Sequence, residues 1–200
     1  MANYKKQDHW QLKAKKEGYP ARSVYKLKEM DEKFGLIKPR ITILDLGAAP
    51  GSWSLYILRK IPGASLVSVD LSPLSREYDK CLFDGENFSF IRGDFTAPPV
   101  RDGIISRGPY NLIISDAAPA TTGNRVVDTS RSLELAEAAA LYAETALSSG
   151  GSLAIKVFQG GDTRELLKRL GGLFKTAKSY KPQACRSDSF ETYYLGFEKR

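Results

Sequence analysis

The chain has 200 residues, 42% of them hydrophobic, with a formal net charge of +7. That supports one full-sized core and leaves too little material for two independent ones. Two cysteines (Cys81 and Cys185) are too few for a disulfide scaffold and nothing around them resembles a metal-ligand cluster, and a histidine triad or histidine-based zinc site would have to be built from the single histidine, His9, alone.

Taken in chain order, Gln11–Glu17 reads as a short helical piece. Ala21–Phe34 reads as a helix, because Val24, Leu27 and Met30 keep the spacing of one face. Gly35 ends it and Pro39 marks the step into a strand. Strands are predicted at Ile41–Leu46, Ser65–Asp70, Phe88–Arg92, Tyr110–Ser115 and Gly151–Phe158, and helices at Ser52–Lys60, Thr129–Leu147 and Asp162–Phe174. The Pro98–Gly108 stretch reads as a connection with at most a weak helix. This βα alternation predicts a mostly parallel, doubly wound sheet. Two further strands, Phe174–Tyr180 and Thr192–Glu198, flank a polar turn at Pro182–Ser189 and would close the sheet with an antiparallel edge pair. The expected class is a single-domain α/β fold with seven strands, in which residues 1–40 form a basic helical extension packed on the rest.

Charge is unevenly placed. Residues 1–40 hold 11 Lys/Arg against 5 Asp/Glu and residues 164–200 hold 9 against 4, whereas residues 41–163 hold 10 against 14. A basic start and end around an acidic middle fits a phosphate-binding surface beside a cation-binding pocket. No stretch approaches the roughly 18 apolar residues of a membrane span, and no apolar leader is visible, so a cytoplasmic protein with no membrane partner is expected.

The chemistry concentrates at strand ends. Asp45-Leu46-Gly47-Ala48-Ala49-Pro50-Gly51-Ser52-Trp53 carries the first strand into a glycine-lined turn where a ligand can meet the backbone. It lacks the Gly-x-Gly-x-x-Gly spacing of a pyrophosphate site, which disfavours a dinucleotide. Asp45, Asp70, Asp94 and Asp116 each close or follow a strand, so four carboxylates are expected on one sheet edge. The second-strand acid suits ribose hydroxyls and the third an amine on a base. S-adenosylmethionine, a nucleoside bearing a sulfonium cation, fits this edge better than a nicotinamide dinucleotide does. Lys156 lies within the apolar Leu153–Phe158 run, where an ammonium group is unusual and a general base is one reading; a lysine snorkelling to solvent is the other.

Taken together, the ordered segments Gly18-Tyr19-Pro20-Ala21-Arg22-Ser23-Val24-Tyr25-Lys26-Leu27, Asp45 to Trp53, Ser115-Asp116-Ala117-Ala118-Pro119, Gly150-Gly151-Ser152, Lys156-Val157-Phe158-Gln159-Gly160 and Glu191-Thr192-Tyr193 resemble the FtsJ/RrmJ family of RNA ribose 2′-O-methyltransferases. The resemblance implies a Rossmann-like S-adenosylmethionine-dependent methyltransferase fold. It also implies a catalytic group of Lys26, Asp116, Lys156 and Glu191, with cofactor contacts at Gly51, Trp53, Asp70, Asp94 and Asp116. Gly47 joins them from its place at the strand end. Lys156 is expected to act as base or to steer the hydroxyl lone pair, and Lys26 to hold the hydroxyl or a phosphate. Asp116 would orient Lys156, and Glu191 would fix a lysine. Direct methyl displacement relies on alignment and needs no metal. The common bacterial pattern has a glycine where Ser52 stands, and Ser52 is expected to cap the following helix instead. The Asp70–Phe88 connection looks long and could alter how the cofactor's adenine is covered.

The family's RNA surface implies phosphate contacts from Lys13, Lys15, Lys16, Arg22 and Lys28, with Arg186 a weaker candidate. Tyr19 and Tyr25 read equally as base-stacking or buried groups. The compact bacterial branch, acting as a monomer on a large-subunit ribosomal RNA uridine, is the leading reading. The alternatives are transfer RNA anticodon-loop or cap methylation, a nicotinamide dehydrogenase, and a non-catalytic RNA-binding protein of ribosome assembly.

Overall fold

A computed structural model describes residues 9–160, 163–186 and 189–200. Within them lie strands β1 (Thr42–Leu46), β2 (Ser65–Asp70), β3 (Phe88–Arg92), β4 (Tyr110–Ser115), β5 (Leu147–Phe158), β6 (Phe174–Tyr180) and β7 (Glu191–Lys199). They form one sheet in the order β3-β2-β1-β4-β5-β7-β6. The first five are mutually parallel, while β7 runs antiparallel to both β5 and β6. The sheet is thus the mostly parallel, seven-stranded one that the sequence predicts, with its antiparallel pair at the β6 edge.

Helices cover both faces, which is why the central strands read as nearly unbroken apolar runs. On one face α1 (His9–Lys16), α2 (Val24–Phe34) and α3 (Ser52–Lys60) pack with Ile43, Leu112, Ile114, Ala154, Tyr193 and Leu195. On the other, α4 (Pro98–Ile105), α5 (Arg125–Thr145) and α6 (Thr163–Leu173) cover Leu44, Leu46, Ile113, Leu153, Ile155 and Val157. Strand alternation therefore puts Lys156, between Ile155 and Val157, on the α2 side. The early residues are part of the core: Ala14, Val24, Leu27 and Met30 are fully buried against the sheet.

Several boundaries differ from the sequence reading. The first helix is His9–Lys16 and the second starts at Val24, because residues 20–23 form turns. Gly35 ends α2 as expected, in the left-handed conformation with its N–H on Asp31 O at 2.8 Å. Pro98–Ile105 is a true helix, started by prolines at its first positions but burying only Ile104, so its periodicity was too thin to read. The long α5 begins four residues before Thr129. Its cap is Asn124, whose side chain accepts the N–H groups of Val126 and Val127, and its first three residues are exposed and carry no helical periodicity. The start predicted for α6, Asp162, lies outside the described residues.

Asp45 corrects one expectation outright. It is 1% exposed and does not reach the sheet edge. Its position in β1 turns it toward α3, where Ser54 Oγ donates to Oδ2 at 2.7 Å and lies 3.0 Å from Ser68 Oγ. Its other oxygen, Oδ1, has no hydrogen-bond partner among the described residues. Burial pushes the carboxyl up to about 7, against the Ser54 hydrogen bond and helped by the charges of Asp116 and Asp70. An acid whose folded pKa exceeds the unfolded value near 3.9 costs stability as pH climbs between the two, on the order of 4 kcal/mol for a shift of this size. Asp45→Asn removes that cost. Its melting temperature relative to the parent should therefore rise by several degrees between pH 5 and pH 8; a difference that stays flat across this window would show that Asp45 does not titrate there.

Candidate active site

The β1–α3 turn and the loops after β2, β3 and β4 open along one side of a cleft of about 790 Å³. Gly47 makes the close approach possible. Its φ is +72°, and a Cβ there would fall 2.6 Å from the Cα of Ala117, so only glycine lets the turn lie against the segment after β4. The turn is tied back to β2 by the N–H groups of Gly47 and Ala48 on Val69 O (2.9 and 3.1 Å).

Asp70, Asp94 and Asp116 line this cleft with Gly47, and Leu71 and Glu134 join them. Asp70 accepts the N–H of Ala49 on one oxygen and that of Ser72 on the other (2.9 and 2.8 Å). An ionised carboxylate has about four acceptor positions, so each oxygen keeps one for a ligand hydroxyl. Asp94 accepts both Thr96 N–H and Thr96 O–H on Oδ1 (2.8 and 2.7 Å), and nothing described occupies Oδ2. Against these acids the described lining residues include one cation, Arg131. A cationic ligand suits such a wall and a pyrophosphate does not.

At the Asp116 end, four charged side chains meet. Lys156 Nζ donates to the main-chain O of Asp116 and lies 3.1 Å from its Oδ1. Lys26 Nζ, from α2, pairs with Glu191 Oε1 at 2.6 Å and stands 3.6 Å from the same Asp116 Oδ1. Tyr193 completes the group: its buried O–H donates to Asp116 Oδ1 at 2.6 Å and lies 3.3 Å from Glu191 Oε1. Cys185 adds an S–H to Glu191 Oε1 at 3.2 Å. The lysines are 9% and 7% exposed, Asp116 16% and Glu191 12%, so both charges of each sign are largely withdrawn from water. Burial raises Asp116, but Lys156, Lys26 and the Tyr193 hydrogen bond outweigh it and hold the carboxyl below its ordinary value. Burial likewise lowers Lys26, yet Asp116 and Glu191 together keep it above the ordinary lysine range and therefore cationic. Cys185, buried beside Glu191, is pushed up to about 12 and stays a thiol.

The structure places the other sequence candidates differently. Gly51 and Trp53 stand behind the cleft and do not line it. A Cβ on Gly51 would press on Phe83, and the Trp53 indole donates to Ser23 O at 2.8 Å from within the core. Ser52 does not cap α3; its Oγ accepts the N–H of Ala21 at 2.8 Å and joins the two segments. From the 71–87 connection only Leu71 reaches the cleft wall, and Phe83 packs under Gly51 instead. Tyr25 is buried, and Tyr19 lies under the Arg59 guanidinium. Lys13 is engaged by the Trp10 and Tyr25 rings and by Glu17 at 3.9 Å, and Arg22 reaches Ala184 O. Lys15 and Lys16 are exposed, as is Arg186, and Lys28 is half-buried. Among the described residues no group of three or more His, Cys, Asp or Glu could hold a metal ion. No described helix is long and apolar enough to cross a membrane.

Comparison with known proteins gives a consistent picture. The sequence model of the FtsJ-like methyltransferases matches residues 19–199. The ribosomal RNA large subunit methyltransferase E of Treponema denticola is 50% identical over 196 residues, covering 98% of this chain and 96% of its own. The protein of the same name from Borrelia garinii subsp. bavariensis is 46% identical over 189 residues, with 94% and 95% covered. Among solved structures, a chain described as a ribosomal RNA methyltransferase from Plasmodium falciparum superposes with a TM-score of 0.75 at 27% identity, covering 91% of this chain and all of that one.

Tyr193 was not among the sequence candidates, although Glu191 and Tyr193 share a strand face by simple alternation. Its hydrogen bond is one of the forces holding Asp116 down. Tyr193→Phe should therefore raise the Asp116 pKa, as read by NMR titration of the carboxyl carbon. An unchanged value would mean that the phenol does not support the ionised form.

Proposed function

The chain belongs to the FtsJ-like methyltransferase family and is an S-adenosylmethionine-dependent RNA methyltransferase, and from that premise we propose that it methylates a ribose 2′-hydroxyl, on a uridine of large-subunit ribosomal RNA. The observation that carries this reading is the convergence of Lys156, Lys26 and Tyr193 on one oxygen of Asp116 at the end of an acidic cleft. The Treponema denticola and Borrelia proteins, matched over nearly their whole lengths, support large-subunit RNA as the acceptor. Since one chain supplies the whole group, a monomer suffices.

The cleft fits the cofactor. Asp70 has free acceptor positions for ribose hydroxyls, Asp94 Oδ2 is open to an exocyclic amine, and Gly47 leaves backbone exposed to the amino-acid tail. Gly51 and Trp53 shape this wall from behind. When bound, S-adenosylmethionine supplies a methyl group activated by a positively charged sulfur. The chain's own residues do the aligning. Asp116 takes two hydrogens of Lys156 Nζ, one on its main-chain oxygen and one on Oδ1, which fixes the remaining direction of that nitrogen toward the substrate. There the Lys156 ammonium donates to the 2′-hydroxyl oxygen and steers its remaining lone pair toward the methyl group, and the hydroxyl proton leaves to solvent as the new C–O bond forms and the C–S bond breaks. Lys26, held cationic between Glu191 and Asp116, binds the hydroxyl or the adjoining phosphate as a charged donor. Positioning of this kind accounts for much of the rate of a two-partner reaction. Exposed Lys15, Lys16 and Arg186, with Lys28, supply phosphate contacts that set affinity without reading bases.

The test follows labelled methyl from S-adenosylmethionine to unmodified large ribosomal subunits, free ribosomal RNA and transfer RNA, with nuclease mapping of the product. Label on a uridine 2′-oxygen of ribosomal material is expected. Lys156→Ala should lower transfer at least about 100-fold while leaving cofactor binding within a few-fold. Label confined to transfer RNA would replace the substrate, and full activity in Lys156→Ala would remove the lysine from the chemistry.

A further inference from the structure

Beside the charged group lies an aromatic stack that the chemistry does not use. Phe190, immediately before β7, is half-buried, and its ring meets that of Phe158 edge-on at 4.8 Å and 69°. Phe158 is buried, pairs directly with Glu191 across β5–β7, and sits two residues beyond Lys156 on the same strand face. Over the Phe190 ring lies the guanidinium of Arg125, 5.3 Å from the centroid. Arg125 is the first residue of α5, at the far end of the loop that begins at Asp116, and among the described residues no carboxylate pairs with it. The stack therefore bridges the two segments that carry Asp116 and Glu191.

Its surroundings are also unusual. Val126 is 78% exposed and Val127 36%, so an apolar, aromatic rim adjoins a cluster of buried charges. Asn124 caps α5, and Asp128 accepts the N–H groups of Thr122 and Gly123 (2.7 and 3.2 Å) along with the Thr122 hydroxyl, so this rim is held in place. A flat ring already covered by a planar cation has the shape and polarity to receive a planar base. Two strand residues and one ring contact separate it from Lys156, roughly 10 Å, which is the reach of a neighbouring nucleotide.

Resting on the reading of the chain as an RNA ribose methyltransferase, we propose that Phe190 is a stacking platform for the base that flanks the target ribose. Arg125 leaves the ring for the adjoining phosphate as the base takes its place. Stacking of this kind tolerates any base identity, because every base has a π face. It fills the role for which the sequence offered Tyr19 and Tyr25: Tyr25 is buried, and the guanidinium over Tyr19 is anchored by Arg59 hydrogen bonds to Gly18 O and Tyr78 O (3.0 and 2.8 Å), whereas among the described residues no such bond holds Arg125 over Phe190.

Phe190→Ala, Phe190→Leu and Phe190→Trp, each checked by thermal unfolding, would be compared with the parent in steady-state methyl transfer to unmodified large ribosomal subunits and in titration with S-adenosylhomocysteine. Loss of stacking should raise the KM for subunits about tenfold in the alanine and leucine variants. Their kcat and S-adenosylhomocysteine affinity should change little, and tryptophan should preserve the parent KM. A leucine variant equal to the parent would show that ring volume matters and the π face does not, overturning the proposal. So would an alanine variant with unaltered KM. A parent protein that methylates no RNA would instead remove the functional reading, and the platform with it; that result is distinct from an active parent indifferent to Phe190.

Discussion

One carboxylate oxygen, Oδ1 of Asp116, is the point on which two lysines and a tyrosine converge. Each partner comes from a different element: Lys26 from α2, Lys156 from β5 and Tyr193 from β7. Withdrawing two ammonium groups and two carboxylates from water is costly unless each finds its counterpart. The cost explains why the surroundings are so fully specified. Glu29, on the same helix as Lys26, accepts the phenol of Tyr180 and the N–H groups of Gln183 and Ala184, fixing α2 against the β6–β7 turn. Asp31 does the same toward α3, accepting Tyr56 O–H and Ile37 N–H and pairing with Lys60.

The sheet divides the work between its edge and its faces. Loops beyond the strand ends carry the acids that line the cleft, as doubly wound sheets generally do. The lysines instead come from a strand face and from a helix covering that face, which places them at the end of the cleft and in contact with the last loop acid. The acidic cleft wall and the charged group at its end thus share Asp116 as a common member.

Much of this was legible in the sequence, and the exceptions have physical causes. The βα alternation and terminal strand pair gave the sheet, because parallel strands buried on both faces leave long apolar runs. The loop acids Asp70, Asp94 and Asp116 were found by their place after strands. Asp45 misled because a strand-end acid reads the same whether its side chain turns to the edge or into the sheet; one residue of alternation decides it. Lys26 and Lys156 needed the family resemblance to be brought together, since they are remote in sequence. Lys13 and Arg22 read from the sequence as phosphate contacts beside Lys15 and Lys16, yet the folded chain has partners of its own for both. Phe190 was hidden for the opposite reason: it lies at the end of a polar turn, where an aromatic has no periodicity to announce it.

The position of β7 has a consequence for synthesis. It is the last described strand but not the edge strand, for it lies between β5 and β6. A ribosome delivers β6 before the strand that joins it to the sheet, so β6 must wait without a neighbour until β7 emerges and inserts. The same strand brings Glu191 and Tyr193. Joining β6 to the sheet and completing the charged group around Asp116 therefore wait on the same strand, and a chain that lacks β7 has neither.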